Sequence, residues 1–310
     1  MSVDFNLALN AAQAAAASQH YPQGTLYMVA TPIGNLADIS LRALHVLGLC
    51  DTLACEDTRH SQGLLRSYGI ETQSRQWLAL HQHNETEASQ EVIRRLQAGQ
   101  RVAYVSDAGT PAVSDPGARL AWQVQAAGLR VLPLPGASSV TTLLSAAGSP
   151  RPEHSGFVFV GFLPTRATER DACLSQLATE SRTQVLLEAP HRIEALALTL
   201  ARLGERPVTV GRELTKQFEE IATLPAQALA AWLQASPQRG KGEFVLLVHA
   251  QAPSNDATQA HDRLLGLLLQ ELPLKTAVKL AAELSGAPRN ALYERALALR
   301  DAAPDDAERP

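Results

Sequence analysis

Cysteine is scarce in this chain, and so is lysine. The three cysteines (Cys50, Cys55 and Cys173) form neither an even framework nor a CxxC pair, a usage that suits a reducing compartment and offers no structural zinc motif. Nowhere do eighteen apolar residues run together, so no membrane span is expected. A G-x-G-x-x-G and a Walker loop are both missing, which removes the usual dinucleotide and triphosphate signatures. An excess of one charge is missing too, since 27 basic against 31 acidic residues leave a formal net charge of -4. No whole-molecule field then draws the chain onto nucleic acid, and an RNA partner has to meet a local basic patch. Among the basic residues only Lys216, Lys241, Lys275 and Lys279 are lysines, so each marks a place where arginine was passed over. The first 23 residues lack the basic start and apolar block of a secretory signal, and read instead as a flexible leader of a cytoplasmic protein.

What is present is enough for two globular domains: 310 residues, 45% of them hydrophobic. Short apolar runs at Thr25 to Ala30, Thr52 to Cys55, Arg101 to Ser106 and Arg130 to Leu134 alternate with helical spacing at Ile39 to Leu47 and Glu87 to Leu96. That alternation predicts a parallel α/β domain over 24–150. The Gly-, Pro- and Ser-rich stretch from Gly148 to Ser155 is the expected linker. A second α/β domain over 151–250 follows, with strands at Phe157 to Phe162, Gln184 to Glu188, Val208 to Arg212 and Glu243 to His249. After a polar gap from Gln251 to Gln259, two short amphipathic helices around Gly286 predict a helix-turn-helix-like tail over 260–300, with Ala277, Leu280, Ala281 and Leu284 on the apolar side of the first.

The chemistry concentrates at strand ends. The loop Val105 to Gly117, VSDAGTPAVSDPG, exposes backbone N–H and C=O groups because no bulky side chain shields them. It leaves a parallel strand at the carboxyl end, where open α/β sheets bind ligands. Asp107 adds a carboxylate suited to an ammonium or hydroxyl, although a plain strand-to-helix turn has the same look. ATPIGN after the first strand and PGASSV after the Leu132 strand share this character. A ligand held by amides and small side chains fits such loops better than a triphosphate, which wants lysine and a metal.

Charged clusters follow other strands. Glu56 and Asp57 could divide acid and base roles, or serve as a cap and its neighbour. EAPHR places His191 and Arg192 for phosphate contact, or at a solvated helix start. Lys216, set among Glu213, Glu219 and Glu220, could act on a substrate hydroxyl or form an ordinary ion pair. The histidines of HQHNE stand at i, i+2 without a third ligand, so no metal is expected.

TPIGNLADIS, EDTR, HNE, VSDAGTPAVSDPG, PGASSV, EAPHR and RELTKQFEE, in this order and spacing, resemble the rRNA-modifying branch of the tetrapyrrole methylase superfamily. The likeness spans roughly Gly24 to Ala250, and the tail resembles that branch's helix-turn-helix extension. The resemblance implies two α/β domains with S-adenosylmethionine in the cleft between them, 2'-O-methylation of a cytidine in the decoding region of 16S rRNA or the small ribosomal subunit, and a homodimer. Carried over by motif, Asp107, Gly109, Thr110, Val113, Ser138 and Ser139 are the expected first-domain side of the cofactor site. Pro32 and Gly34 form its edge, and Ala189 with Leu214 the opposite wall. Lys216, Glu213, Glu56 or Asp57 would ease deprotonation of the hydroxyl. Arg59, Arg66 and Arg192 at the cleft rim, with Lys275, Lys279, Arg289 and Arg295 on the tail, would meet phosphate. Two other readings share features: a methylase acting on a tetrapyrrole, which needs an open apolar trough, and a ligand-sensing regulator whose tail binds nucleic acid.

Overall fold

The structure is a computed structural model and describes residues 5–81, 83–149, 156–251 and 255–301. The first domain runs α1 (Asn6–Ala16), β1 (Thr25–Val29), α2 (Leu41–Leu49), β2 (Thr52–Cys55), α3 (Thr58–Ser67), β3 (Gln76–Ala79), α4 (Glu85–Gln97), β4 (Val102–Val105), α5 (Gly117–Ala126), β5 (Arg130–Leu134) and α6 (Ser139–Ala147). Its sheet has the order β3-β2-β4-β1-β5 and is parallel throughout. Every residue of β1, β2 and β4 is buried, because helices cover both faces; this is why these strands read as unbroken apolar runs. β5 lies at the edge, where Pro133 removes no hydrogen bond that an inner strand would need.

The second domain runs β6 (Phe157–Phe162), α7 (Ala167–Thr179), β7 (Thr183–Glu188), α8 (Ile193–Leu200), β8 (Pro207–Arg212), β9 (Glu220–Pro225), α9 (Leu229–Gln234) and β10 (Phe244–Val248). The strand order is β6-β7-β10-β8-β9. β6 and β7 are parallel, whereas β10 runs antiparallel to both β7 and β8.

The domains share an apolar seam in which Ile33, Val140 and Leu143 of the first meet Val185, Leu214, Val245 and Leu247 of the second. Leu143, fully buried on α6, would lie 2.7 Å from a Cβ added at Gly211. Leu143→Ala is expected to cost about 3 kcal/mol, in the range for buried leucine truncations. Urea unfolding followed by circular dichroism checks it, and a loss below about 1 kcal/mol would mean that the seam does not bind the domains together.

Several expectations need correction. The expected leader contains α1, whose Ala12 and Ala16 are buried; Ala12 belongs to the core that α2 also fills, and Phe5 meets the ring of Tyr68 edge-on. Ala12 and Ala16, one turn apart, form the face by which this helix packs. Strands β3 and β9 went unread, the first because it is a four-residue edge strand, the second because it opens on the charged Glu220. The tail is a three-helix unit, α10 (Asn255–Glu271), α11 (Leu274–Ser285) and α12 (Arg289–Asp301), around Leu265, Val278, Ala281, Leu292 and Ala296. It therefore begins inside the expected gap, and Leu284 lies exposed rather than in that core. Residues 150–155 of the expected linker, 252–254 of the gap and Gln82 of HQHNE lie outside the described residues. No helix among the described residues is long and apolar enough to cross a membrane.

Candidate functional site

Three loops leave the carboxyl ends of β1, β4 and β5 and meet. Thr31 and Gly109 exchange backbone hydrogen bonds of 3.0 and 3.1 Å, Thr110 Oγ1 donates to the Ala137 carbonyl at 2.9 Å, and Ser106 Oγ donates to the Gly109 carbonyl at 3.1 Å. Asp115 braces the β4 loop from within, accepting from the backbone N–H of Ala112 and Gly117 and from the Tyr104 hydroxyl. Small residues permit this close backbone approach.

Between the domains is a cleft of about 490 Å³. Asp107, Gly109, Thr110, Val113, Ser138 and Ser139 line it from the first domain; Ala189 and Leu214 line it from the second. Ser138 occupies the N-cap position of α6, yet its side chain makes no capping hydrogen bond, so hydroxyl and helix N-terminus both remain available to a ligand. Pro32 and Gly34 do not line the cleft; Ile33 between them does. Gly34 instead marks where the domains touch: a Cβ there would lie 2.4 Å from Lys216 Cγ and 3.0 Å from the Leu214 carbonyl. Residues that sequence reasoning missed complete the walls, among them Glu243, Phe244 and Val245, Leu187 and Glu188, and Phe162. Most sit on buried strands, where a cleft-lining residue and a core residue have the same pattern.

Of the candidate acid–base groups only Glu56 lines the cleft. Burial pushes its carboxyl above the usual carboxylate range, the nearby Asp107 and Asp115 push the same way, and a hydrogen bond from the Asp107 backbone works against them. Asp57 is corrected to a helix cap. Its Oδ1 accepts from Arg59 N at 2.8 Å and from His60 N at 3.4 Å, and these bonds hold its carboxyl below the ordinary value. Asp57→Ala is accordingly expected to lower the melting temperature while leaving the activity of the cleft within about twofold of wild type, because the lost group is an N-cap; a large fall in turnover in a steady-state assay would return Asp57 to the reaction.

Lys216 is also corrected. Its Nζ donates to Glu213 Oε1 at 2.8 Å and Glu243 Oε2 at 3.1 Å. Burial disfavours its charge, but the two carboxylates outweigh that and raise its pKa above the ordinary lysine value. A lysine held this way favours its protonated form, and its ammonium is spent on the two carboxylates. Glu213, which burial alone would raise, is brought below its ordinary value chiefly by Lys216. The pair instead organises a loop in which Glu213 and Thr215 both adopt positive φ, 51° and 65°.

The candidate RNA contacts divide. Arg59 is exposed at the start of α3, three residues past Glu56, and Arg66 is exposed in its last turn. Lys275, Lys279 and Arg289 are exposed on the tail. Arg192 is committed within the protein, pairing with the buried Glu188 at 3.1 Å and donating to the Leu163 carbonyl. Arg295 is held by both oxygens of Asp262, at 2.7 and 2.6 Å.

Residues 25–265 match the family model for tetrapyrrole (corrin/porphyrin) methylases, and 255–300 that of the RsmI C-terminal HTH domain. In fold the chain is similar to a cobalt precorrin-4 methyltransferase (TM-score 0.54, 19% identity, covering 74% of this chain and 98% of the other) and to diphthine synthase (TM-score 0.57, 16% identity, 74% and 92%). Parallel sheet, mixed sheet and the cleft between them thus define a tetrapyrrole methylase. At the level of sequence the chain is 48% identical over 279 residues to ribosomal RNA small subunit methyltransferase I of Pseudomonas aeruginosa, covering 88% of this chain and 97% of that protein. It is 46% identical over 278 residues to the protein of the same name from Escherichia coli O157:H7, with coverages of 89% and 95%. The chain belongs to the ribosomal RNA small subunit methyltransferase I family.

Proposed function

We propose that this protein transfers a methyl group from S-adenosylmethionine to the ribose 2'-oxygen of a cytidine in the decoding region of 16S rRNA. The observation that carries the reading is the convergence of three backbone-exposing loops, tied through Thr110 and Ala137, on one cleft that also contains the Glu56 carboxyl. Its volume of about 490 Å³ suits a ligand of cofactor size, and the chemistry of the walls suits this cofactor. Asp107 and Glu56 complement its cationic groups, while Leu187, Leu214 and Val245 supply apolar cover. Asp107, Gly109, Thr110, Val113, Ser138 and Ser139 would hold it from one side and Ala189 with Leu214 from the other, with Pro32 and Gly34 behind the edge.

S-adenosylmethionine supplies an already activated methyl group whose leaving atom departs as a neutral thioether sulfur. The protein then has to align the ribose and accept one proton. Enclosure between two domains removes much of the entropic part of the barrier. The Glu56 carboxylate would take the ribose 2'-hydroxyl proton and pass it to solvent after product release. Lys216 and Glu213 shape the wall through their ion pair, and Asp57 orients α3.

Arg59 and Arg66 on the first domain, with Lys275, Lys279 and Arg289 on the tail, meet RNA phosphates; Arg192 and Arg295 are spent on internal pairs. Such contacts weaken steeply with salt. The same reading takes the protein as a cytoplasmic homodimer acting on rRNA or the assembled small subunit. Incubation with methyl-labelled cofactor tests it against its alternatives. Label is expected in 16S rRNA, while label in a porphyrinoid or no transfer at all would support a tetrapyrrole methylase or a ligand sensor.

A further inference from the structure

Among the described residues that line the cleft, the aromatic side chains are Phe162 and Phe244. Phe244 is 2% exposed and belongs to the second-domain core. Phe162 is 50% exposed; Phe157 and Phe159 on the same edge strand are exposed too, but of the three only Phe162 lines the cleft. Its placement has a structural cause. The register of β6 on β7 shifts between Phe159 and Gly161, and Gly161 adopts φ 72°. A bulge of this kind bends a strand and re-aims the side chain that follows it. The shift sets Phe162 beside Leu187, itself part of the cleft wall. The next residue is fastened there, because the Leu163 carbonyl accepts from Arg192, which the buried Glu188 holds in turn.

Exposed arginines stand on the segments next to the cleft in sequence. Four residues beyond Phe162, at the mouth of α7, the Arg166 side chain is 80% exposed, and its ion partner Glu169 is an exposed surface residue. On the first domain, three residues past Glu56, the Arg59 side chain is 91% exposed and pairs at 3.6 Å with the half-exposed Asp57. An exposed ring in a cleft wall, with exposed arginines on neighbouring segments, can hold an unpaired nucleotide, the base on the ring face and the phosphates on the guanidinium groups.

We propose that Phe162 is the stacking platform for the base of the target nucleotide and that Arg166 holds an adjacent phosphate, so that the ribose 2'-hydroxyl points into the cleft toward Glu56. This rests on the reading of rRNA as substrate. Phe162 is a positioning residue, since it touches the base and not the reacting atoms.

The test uses the full-length protein, small ribosomal subunits as acceptor and saturating S-adenosylmethionine. Phe162→Ala and Phe162→Leu are expected to raise KM for the subunit about tenfold or more, whereas Phe162→Tyr and Phe162→Trp stay within about threefold of wild type, because stacking needs a π face and not merely apolar volume. The Kd for the cofactor, measured by calorimetry, and the melting temperature remain those of wild type in all four. Arg166→Ala lowers the salt dependence of RNA binding by close to one phosphate contact. A Phe162→Leu protein with wild-type KM for the subunit overturns the platform, and so does a Phe162→Ala protein whose loss lies in cofactor Kd, which would make the ring part of the cofactor wall. Failure of the wild-type protein to methylate rRNA removes the parent reading and this one together.

Discussion

Replacing Glu56 by glutamine is expected to lower turnover by about 10²- to 10⁴-fold, the usual loss when a positioned general base is removed, with cofactor Kd changed less than tenfold. Glu56 is the one candidate acid–base side chain that both lines the cleft and has its pKa raised, by burial first and by Asp107 and Asp115 next. A base works in its ionised form, so wild-type activity should rise with pH through a limb lying above the ordinary carboxylate range, and Glu56→Gln should lose that limb. The sign for stability is opposite. A carboxyl whose pKa is higher folded than unfolded stabilises the fold at low pH, and that contribution is lost as pH rises through the folded value. At neutral pH the glutamine variant should therefore melt no lower than wild type. Single-turnover assays across pH with calorimetric melting separate these effects; turnover within threefold of wild type would dismiss Glu56 as the base.

Gly109→Val should weaken cofactor binding by at least about a hundredfold. Gly109 adopts φ 83° while exchanging both hydrogen bonds with Thr31, a backbone region that costs an L-residue of the order of 1–2 kcal/mol and a β-branched one more. Space is short as well: an added Cβ would lie 3.1 Å from Ile33 Cγ2 and 3.6 Å from the Ala137 carbonyl. The loop can relieve this only by withdrawing from its two neighbours, which opens the wall. Gly109→Ala should show the same loss in smaller degree. Calorimetric titration on variants that retain the wild-type circular dichroism spectrum is the check, and wild-type affinity in the valine variant would place the cofactor elsewhere.

The first-domain wall was legible because its function and its composition have one cause. A loop that presents peptide groups to a ligand must be built from glycine, alanine, serine and threonine, and those residues stand out after the buried strand β4. The second wall was less legible. Leu187, Phe244 and Val245 lie on strands whose residues are buried on both faces, and nothing in an apolar run tells which members border a cleft. Phe162 depends on a bulge that no local spacing announces. Charged clusters misled for another reason. Asp57, Lys216, Arg192 and Arg295 are polar residues with internal partners, and whether a charge is spent on a cap or an ion pair depends on contacts such as Lys216 with Glu243, 27 positions apart. The N-terminal helix was missed because alanine in a close helix contact and alanine in a loose leader look alike until the packing partner, α2, is seen.

The most direct test of a methyl donor enclosed beside Glu56 and opposite a bound ribose is the chemical form of the product. Small-subunit rRNA from cells with and without this protein, digested to nucleosides and resolved by mass spectrometry, should differ by one 2'-O-methylcytidine, restored by the purified wild-type protein and not by Glu56→Gln. Loss of a methyl group on a base, or identical nucleoside profiles from the two strains, would contradict the account.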